Sequence, residues 1–355
     1  MTVKTTLAIV LFGTLCAGSG TIVRAACIGA SVNSFGAKGD GHTDDTAAIQ
    51  SAINAAGSAG GGSVVFNVAR YFTTGTFVVP QGVVLCGAVE GPFDVKGVNP
   101  GLTTIAPTLL VTNTSGPFVT LQGIGAGVTD LLFHYPNQVP TSAAAPTVYP
   151  YTILVTSPGK VARSTASNAY NFLDIEIGSV LAKDLFIGAF HTGVNIGPAG
   201  GDHVTLRNLL NQVFWDILEN QTYPRPIDAW VLANGTGLVT GVADIELNGF
   251  FVFSRFAGIV LNGSGNCGTV LGSNIDLETV QYGIIVSTAC NLPGNIFTNV
   301  DIVAAPGLGQ AAVQVPTGSS LPPKIEINGG SQRGPWAIYA YPPLTSEIII
   351  VNILP

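Results

Sequence analysis

The sequence predicts an all-β solenoid, a chain of short parallel strands wound into coils that stack along one axis. Three observations carry that expectation. Four segments repeat one pattern: A-D-I-E-L-N (243–248), S-N-I-D-L-E (273–278), T-N-V-D-I-V (298–303) and P-K-I-E-I-N (323–328). In each, a polar residue precedes an aliphatic, an acid and another aliphatic. The steps between successive acids, Glu246 to Asp276 to Asp301 to Glu326, are 30, 25 and 25 residues, a spacing that suits one coil each. The composition agrees: 45 glycines, 47% hydrophobic residues and only 9% charged, against about 25% charged in an average globular domain. Stacked coils bury residues against their neighbours, and Gly and Asn serve the tight turns between sheets.

Side chains on a strand alternate faces. The aliphatic pairs Ile245/Leu247, Ile275/Leu277, Val300/Ile302 and Ile325/Ile327 therefore point inward, and the acid between each pair points out. Stacking predicts one outward column, Glu246, Asp276, Asp301 and Glu326, with rungs ~4.8 Å apart. The expected flanking columns are Asp244/Asn274/Asn299/Lys324 and Asn248/Glu278/Val303/Asn328. Weaker copies fall at 182–186 and 204–209, and a second apolar strand follows in several coils, at 258–261, 283–286 and 312–315.

The acid column carries the chemistry. Glycoside hydrolysis needs one carboxyl held protonated and another ionised. Neighbouring rungs approach the ~5–5.5 Å separation of retaining enzymes, and a diagonal pair such as Asp244 and Asp276, roughly 8 Å apart, suits inverting ones. Glu246, Asp276, Asp301 and Asp244 are the catalytic candidates, with Glu278 and Arg255 beside the substrate. The competing reading is a charged ladder that keeps the solenoid soluble. A second group, Asp202-His203 with Arg207 and His191, offers a base oriented by an acid, although adjacent strand residues face opposite sides and His203 also reads as a turn residue. The segment 134–171, rich in Pro, Ala, Ser and Tyr, predicts a long loop. The 220–230 stretch predicts an insertion whose Tyr223, Arg225, Asp228 and Trp230 are side-chain types that bind sugars.

Other classes recede. A net charge of −7 with 13 Lys+Arg argues against nucleic acid. Beyond residue 26 no run of about 18 apolar residues suggests a membrane span. Residues 1–26 read as a secretory signal, with Lys4, the apolar Leu7–Leu15 and V-R-A-A at the cleavage region; the expected location is secreted or periplasmic, and 27–355 is one domain. Four cysteines remain after it, enough for two disulfides in an exported chain. Cys267 and Cys290, about one coil apart, make the favoured pair, and Cys27–Cys86 follows by default. No Cys/His cluster predicts a metal, and no cofactor is expected.

The opening of the mature chain adds a resemblance. A Gly-rich turn (Gly36, Gly39, Gly41) leads through Thr43-Asp44-Asp45-Thr46 into a short helix with Ala48, Ile49, Ala52, Ile53 and Ala56. Gly60-Gly61-Gly62, strands 63–66 and 76–79, and P-Q-G-V-V-L-C-G follow. This order resembles the opening of the pectate-lyase-superfamily right-handed parallel β-helices, which include glycoside hydrolases, polysaccharide lyases and phage tailspikes. The resemblance implies a right-handed coil, a helix that caps the N-terminal end, and Asp44-Asp45 at that helix's N-terminus. The polygalacturonase-like hydrolases of this group carry N-T-D, D-D, G-H-G and R-I-K; here only N-I-D (274–276) stands. Lyases of this fold use an Arg or Lys base, for which Arg207 or Arg255 would serve. The expected function is a secreted carbohydrate-active enzyme, a glycoside hydrolase or glycosyl-transferring enzyme acting on a poly- or oligosaccharide. The alternatives are a polysaccharide lyase or epimerase and a non-catalytic, tailspike-like binding module. Tailspike-like relatives and a mean hydropathy of +0.47 suggest a homotrimer.

Overall fold

The computed structural model describes residues 27–197, 203–241, 243–262, 268–286, 295–315, 325–333, 339–340 and 348–354. Every strand pairing among them is parallel, and each strand pairs with its counterpart one coil away. Three sheets are formed by the described strands. The first begins with Gly29–Ser31, Gly62–Phe66, Val83–Gly87 and Ala126–Thr129. The second begins with Asp40–Asp44, Arg70–Thr73, Thr108–Val111 and Leu132–His134. The third begins with Phe77–Val79, Val119–Leu121 and Tyr151–Val155. From Gly159–Ile175 onward, strands such as Val180–Ile196, Ile245–Leu261 and Val270–Val286 run through two corners without a break and contribute to all three sheets.

The corner between the first two sheets depends on left-handed backbone. Asp130, Arg163, Asp184, Asn208, Gly249, Asn274, Asn299 and Gly329 all have positive φ, from 44° to 74°. They stack coil on coil, because the residues flanking each are register partners. L-residues other than Gly, Asn and Asp rarely visit this region, which explains the recurrence of those types. Asn208 Nδ2 donates to Asp184 Oδ1 (3.0 Å) and Asn299 Nδ2 to Asn274 Oδ1 (2.9 Å). The side chains that permit the turn thus also tie consecutive turns together.

The interior is apolar, and the four predicted inward pairs are all buried. Phe77, Phe118, Phe133 and Phe172 follow one another along the axis with ring centroids 5.2, 6.1 and 6.4 Å apart. The first helix, α1 (Thr46–Ser58), buries Ile49, Ala52, Ile53 and Ala56 against the first strands of sheets one and three. Its start is held differently from the simple cap expected. Asp45 accepts from the Lys38 and Gly39 N–H groups (2.6 and 3.0 Å), fixing the Gly-rich turn, and Asp44 accepts from Thr46 N (3.0 Å) and Thr74 Oγ1 (2.5 Å). Among the described residues a disulfide joins Cys27 and Cys86; Cys267, Cys290, Asp202 and Lys324 lie outside them.

Two expectations need correction. The acid column is split between sheets. Glu246 lies in the first sheet between Thr205 and Leu271, and that column continues to Ile296 and Glu326. Asp276 and Asp301 lie in the second, between Phe251 and Ser331. Each coil carries two similarly patterned strands five residues apart, one on either side of the left-handed corner, so matching the pattern alone jumps from sheet to sheet. The segment 134–171 is also not one loop. Only its first part is irregular, and Tyr151–Val155 and the start of Gly159–Ile175 are strands. Ser164, Thr165 and Ser167 there are buried polar residues; Thr165 exchanges hydrogen bonds with the Phe93 backbone of an overlying loop (2.7 and 2.9 Å), so hydrophobic patterning could not reveal the strand.

The corner sets a stability expectation. Asn274→Val should destabilise the fold by about 1–3 kcal/mol, from left-handed strain and the lost ladder hydrogen bond, whereas Asn274→Gly should cost clearly less. Denaturant unfolding of the two variants, compared with the parent chain, checks the order.

Candidate functional site

The outward face of the second sheet brings two of the candidate acids onto adjacent rungs. One column reads Thr165, Phe186, Leu210, Phe251, Asp276, Asp301 and Ser331 from coil to coil. Phe253 pairs with Glu278 in the next outward column. Asp276 is half-buried, and its Oδ1 is buried with no hydrogen-bond partner. Burial, then the neighbouring carboxylates of Glu278 and Asp301, raise its pKa to about 6, against an opposing pull from Arg333. Asp301 is differently placed. It accepts from the Ser331 hydroxyl, and Arg333 Nη2 donates to its Oδ2 at 3.0 Å. Two carboxyls on adjacent rungs thus sit in unlike surroundings, the arrangement that separates an acid from its ionised partner.

Aromatic side chains adjoin the acids on the same face. Phe214 stacks on Phe253 (5.1 Å) with Tyr223 edge-on to both, and Phe186 stacks on Trp215 (4.1 Å). Such rings suit the apolar faces of sugars.

A second group forms on the first sheet. His203, Asp244, Glu246 and Leu271 line a groove of about 530 Å³. Glu246 pairs with Arg207 (2.9 Å), and His203 Nε2 lies 4.0 Å from its Oε2. Asp244 and Glu246 therefore join His203 and Arg207, not Asp276. His191 belongs elsewhere: on the third sheet it stacks on Tyr170 (5.0 Å, 6° between planes), with Trp230 6.3 Å away. That sheet also holds an acid missed by repeat matching, Asp174, pushed up to about 6 chiefly by burial.

Three expected substrate contacts are buried structural groups. In the 220–230 insertion, Arg225 and Asp228 are 4% and 3% exposed and pair at 2.8 Å, closing the first turn of helix α2 (Pro226–Asn234). Arg255 is fully buried and donates to the Ala189 carbonyl and to Asn211 Oδ1 (2.8 and 2.9 Å). The insertion carries a side chain whose type suits sugar binding, but the chain folds it inward: the cations surround Asp216, which is buried over Gly188, where a Cβ would meet its Oδ1 at 2.1 Å. Tyr223 and Trp230 remain half-buried, Tyr223 bonded to the Ser254 hydroxyl (3.2 Å). Phe251, Ser331 and Arg333 escaped sequence reasoning. The signal was a 25-residue step from Phe251 to Asp276 and Asp301, continued by 30 to Ser331, hidden behind Gly329-Gly330.

Comparison with known proteins agrees with the fold. Residues 29–116 match a family model described as rhamnogalacturonase A/epimerase, pectate lyase-like. Alginate lyase 7 of Azotobacter vinelandii is 42% identical over 76 residues, which span 19% of this chain and 9% of that protein. Mannuronan C5-epimerase AlgE1 of the same organism is 41% identical over 75 residues, 21% of this chain and 5% of that protein. The similarity thus spans under a tenth of either relative. In three dimensions, the enzymatically active domain of tailspike protein 2 of Bacteriophage CBA120 covers 88% of this chain and 43% of its own length, at 13% identity and a TM-score of 0.50. The chain thus has the right-handed parallel β-helix fold, and its opening, residues 29–116, is similar to the pectate-lyase-like family. The family match ends at residue 116, before every candidate catalytic residue.

Asp216 yields an expectation about pH. Burial raises its pKa from 3.8 to about 7, and Arg225 and Arg255 only partly oppose this. The stabilising contribution of the neutral acid is complete below pH ~4 and is lost as pH rises through 7. Stability should therefore fall over that window, and Asp216→Asn should flatten the fall. Denaturant midpoints measured across the pH range check it.

Proposed function

We propose that the chain is a carbohydrate-active enzyme that cleaves or transfers a glycosidic linkage on the outer face of the second sheet. Asp276 is the proton donor, and Asp301, held by Ser331 and Arg333, is the carboxylate partner. The observation that carries this reading is the unlike environment of two acids on adjacent rungs. A rung spacing of ~4.8 Å lies near the carboxyl separation of retaining glycosidases. Phe251, Phe253 and Tyr223 provide the surface against which a sugar lies, and Glu278 borders it.

A second reading, a polysaccharide lyase or epimerase, is favoured by the activities for which the relatives are named and by the first-sheet groove. There, His203 and Arg207 beside Glu246 and Asp244 supply the basic groups that proton abstraction needs. The Cys27–Cys86 disulfide supports an exported enzyme. The trimer remains a proposal: light scattering that returns a trimer mass supports it, and a monomer rejects it.

A panel of neutral and uronate polysaccharides, read for both reducing ends and absorbance near 235 nm, separates the reactions. Under the first reading reducing ends appear without absorbance. Asp276→Asn and Asp301→Asn should each lower kcat by at least about a hundredfold, the scale of general acid–base catalysis, with unfolding midpoints little changed, while His203→Ala stays near parental activity. The raised pKa of Asp276 adds a pH signature: kcat/KM should fall as pH rises above about 6, where the donor loses its proton. Full activity in both aspartate variants with loss in His203→Ala moves the site to the first sheet.

A further inference from the structure

A second cavity lies on the second-sheet side of the solenoid, far from the acids. It has a volume of about 300 Å³, at the lower end of ligand pockets, and is lined by His134, Asn168, Gln221, Asn99, Gln138 and Leu218, among others. It sits between the loops that follow Asp94 and His134 and the chain around Leu218–Gln221. The lining contains no Asp, Glu, Lys or Arg. Arg70 does not line it but stands behind it: its Nη1 donates to the carbonyl of the lining Gly101 (2.9 Å), and its Nε is buried without a partner.

The polar groups of this cavity are incompletely used. Asn168 Oδ1 and Gln221 Oε1 are buried without a hydrogen-bond partner, although Asn168 is only 2% exposed. Buried polar atoms left unpaired are costly, and these two, on residues that line one cavity, gain a partner when their amides turn toward an incoming hydroxyl. Asn168 is also locked in position: its φ is 58°, and its N–H donates to Asp216 Oδ1 at 2.6 Å. His134 is buried beside them, with Nδ1 3.3 Å from the Ser167 hydroxyl. Burial pushes its pKa down to about 4, so at neutral pH its ring is uncharged and offers one donor and one acceptor. Gln138 and Asn99, by contrast, already serve the loops, through Thr147 and the Gly101 N–H.

We propose that this cavity is a binding subsite for a neutral, hydroxyl-rich sugar unit, held by Asn168, Gln221 and His134. Carboxamides and a neutral imidazole donate to and accept from hydroxyls, whereas a uronate carboxylate entering here would find no cation in the lining to replace its water. The saccharide class rests on the function proposed above. The position strengthens the link. His134 and Phe253 both face outward on the second sheet, and the register from Leu132 through Thr165, Phe186, Leu210 and Phe251 to Asp276 is five rungs, ~24 Å at the usual strand spacing. The aromatic side chains lie between, so the cavity would anchor one end of a chain whose other part reaches the acids.

The test is ligand-observed NMR and calorimetry with methyl glycosides of glucose, galactose, mannose, rhamnose and N-acetylglucosamine, and with galacturonate and mannuronate as the charged comparison. At least one neutral glycoside should bind the parent chain and the Asp276→Asn variant equally, and more tightly than either uronate. Asn168→Gly keeps the left-handed backbone and Gln221→Leu keeps the volume; each should weaken that binding by about tenfold or more, with circular dichroism unchanged. Should Asn168→Gly fail to fold, Gln221→Leu alone decides. Absence of binding by every neutral glycoside, equal binding of uronates, or parental affinity in both folded variants overturns the subsite. Glycoside binding that survives while Asp276→Asn retains full activity leaves the subsite standing and removes the catalytic reading instead.

Discussion

From Ala126–Thr129 onward, the solenoid hangs on the left-handed residue that follows each first-sheet strand. It turns the chain by one sheet without a loop, so strands on either side of it are only five residues apart in pattern. Asn, Asp and Gly are the residues that tolerate the geometry, and the Asn and Asp side chains then bond to the turn above or below. Because the turn fixes which residue faces out, it also decides which acids become neighbours. A slip of one residue at such a corner would turn the inward aliphatics to solvent.

That constraint explains what could and could not be read from the residues. The coil length, the inward pairs and the third-sheet strands at 258–261 and 283–286 were legible, since alternation and recurrence depend only on sequence. The sheet on which each acid stands was not, because I-E-L at 245–247 and I-D-L at 275–277 are equivalent as patterns and differ only in their side of a corner. A positive φ leaves a faint trace, a column of Asn, Asp and Gly; aligning on Asn208, Gly249, Asn274 and Asn299 would have restored the register. The fate of Arg225, Asp228 and Arg255 was illegible for another reason. Their partners Asp216 and Asn211 are brought to them by the fold, and a charged residue in a polar insertion looks the same whether it faces substrate or closes a buried pair.

The two acid groups differ in how they are protected from water. Glu246 and its neighbours stand in an open groove, where an exposed ion pair such as Arg207–Glu246 contributes little, about 0–1 kcal/mol. Asp276 stands half-buried with an oxygen cut off from any partner, and there a carboxyl's proton affinity departs from its ordinary value. Desolvation is thus a stronger discriminator between the sites than the number of charges at either. The buried set around Asp216 shows the same effect turned to structure, with cations and a raised acid holding the insertion onto the solenoid.

The parallel coil has a further consequence. In a stack of like units each contacts only its neighbours, so a whole coil can be gained or lost without disturbing the pairings elsewhere. Such a change would leave every column intact and alter one quantity alone, the number of rungs between the Asn168 cavity and Asp276. The solenoid is in that sense a ruler graduated in strand spacings, and the length of polymer that the proposed subsite and acids would span together is set by counting coils and not by reshaping either end.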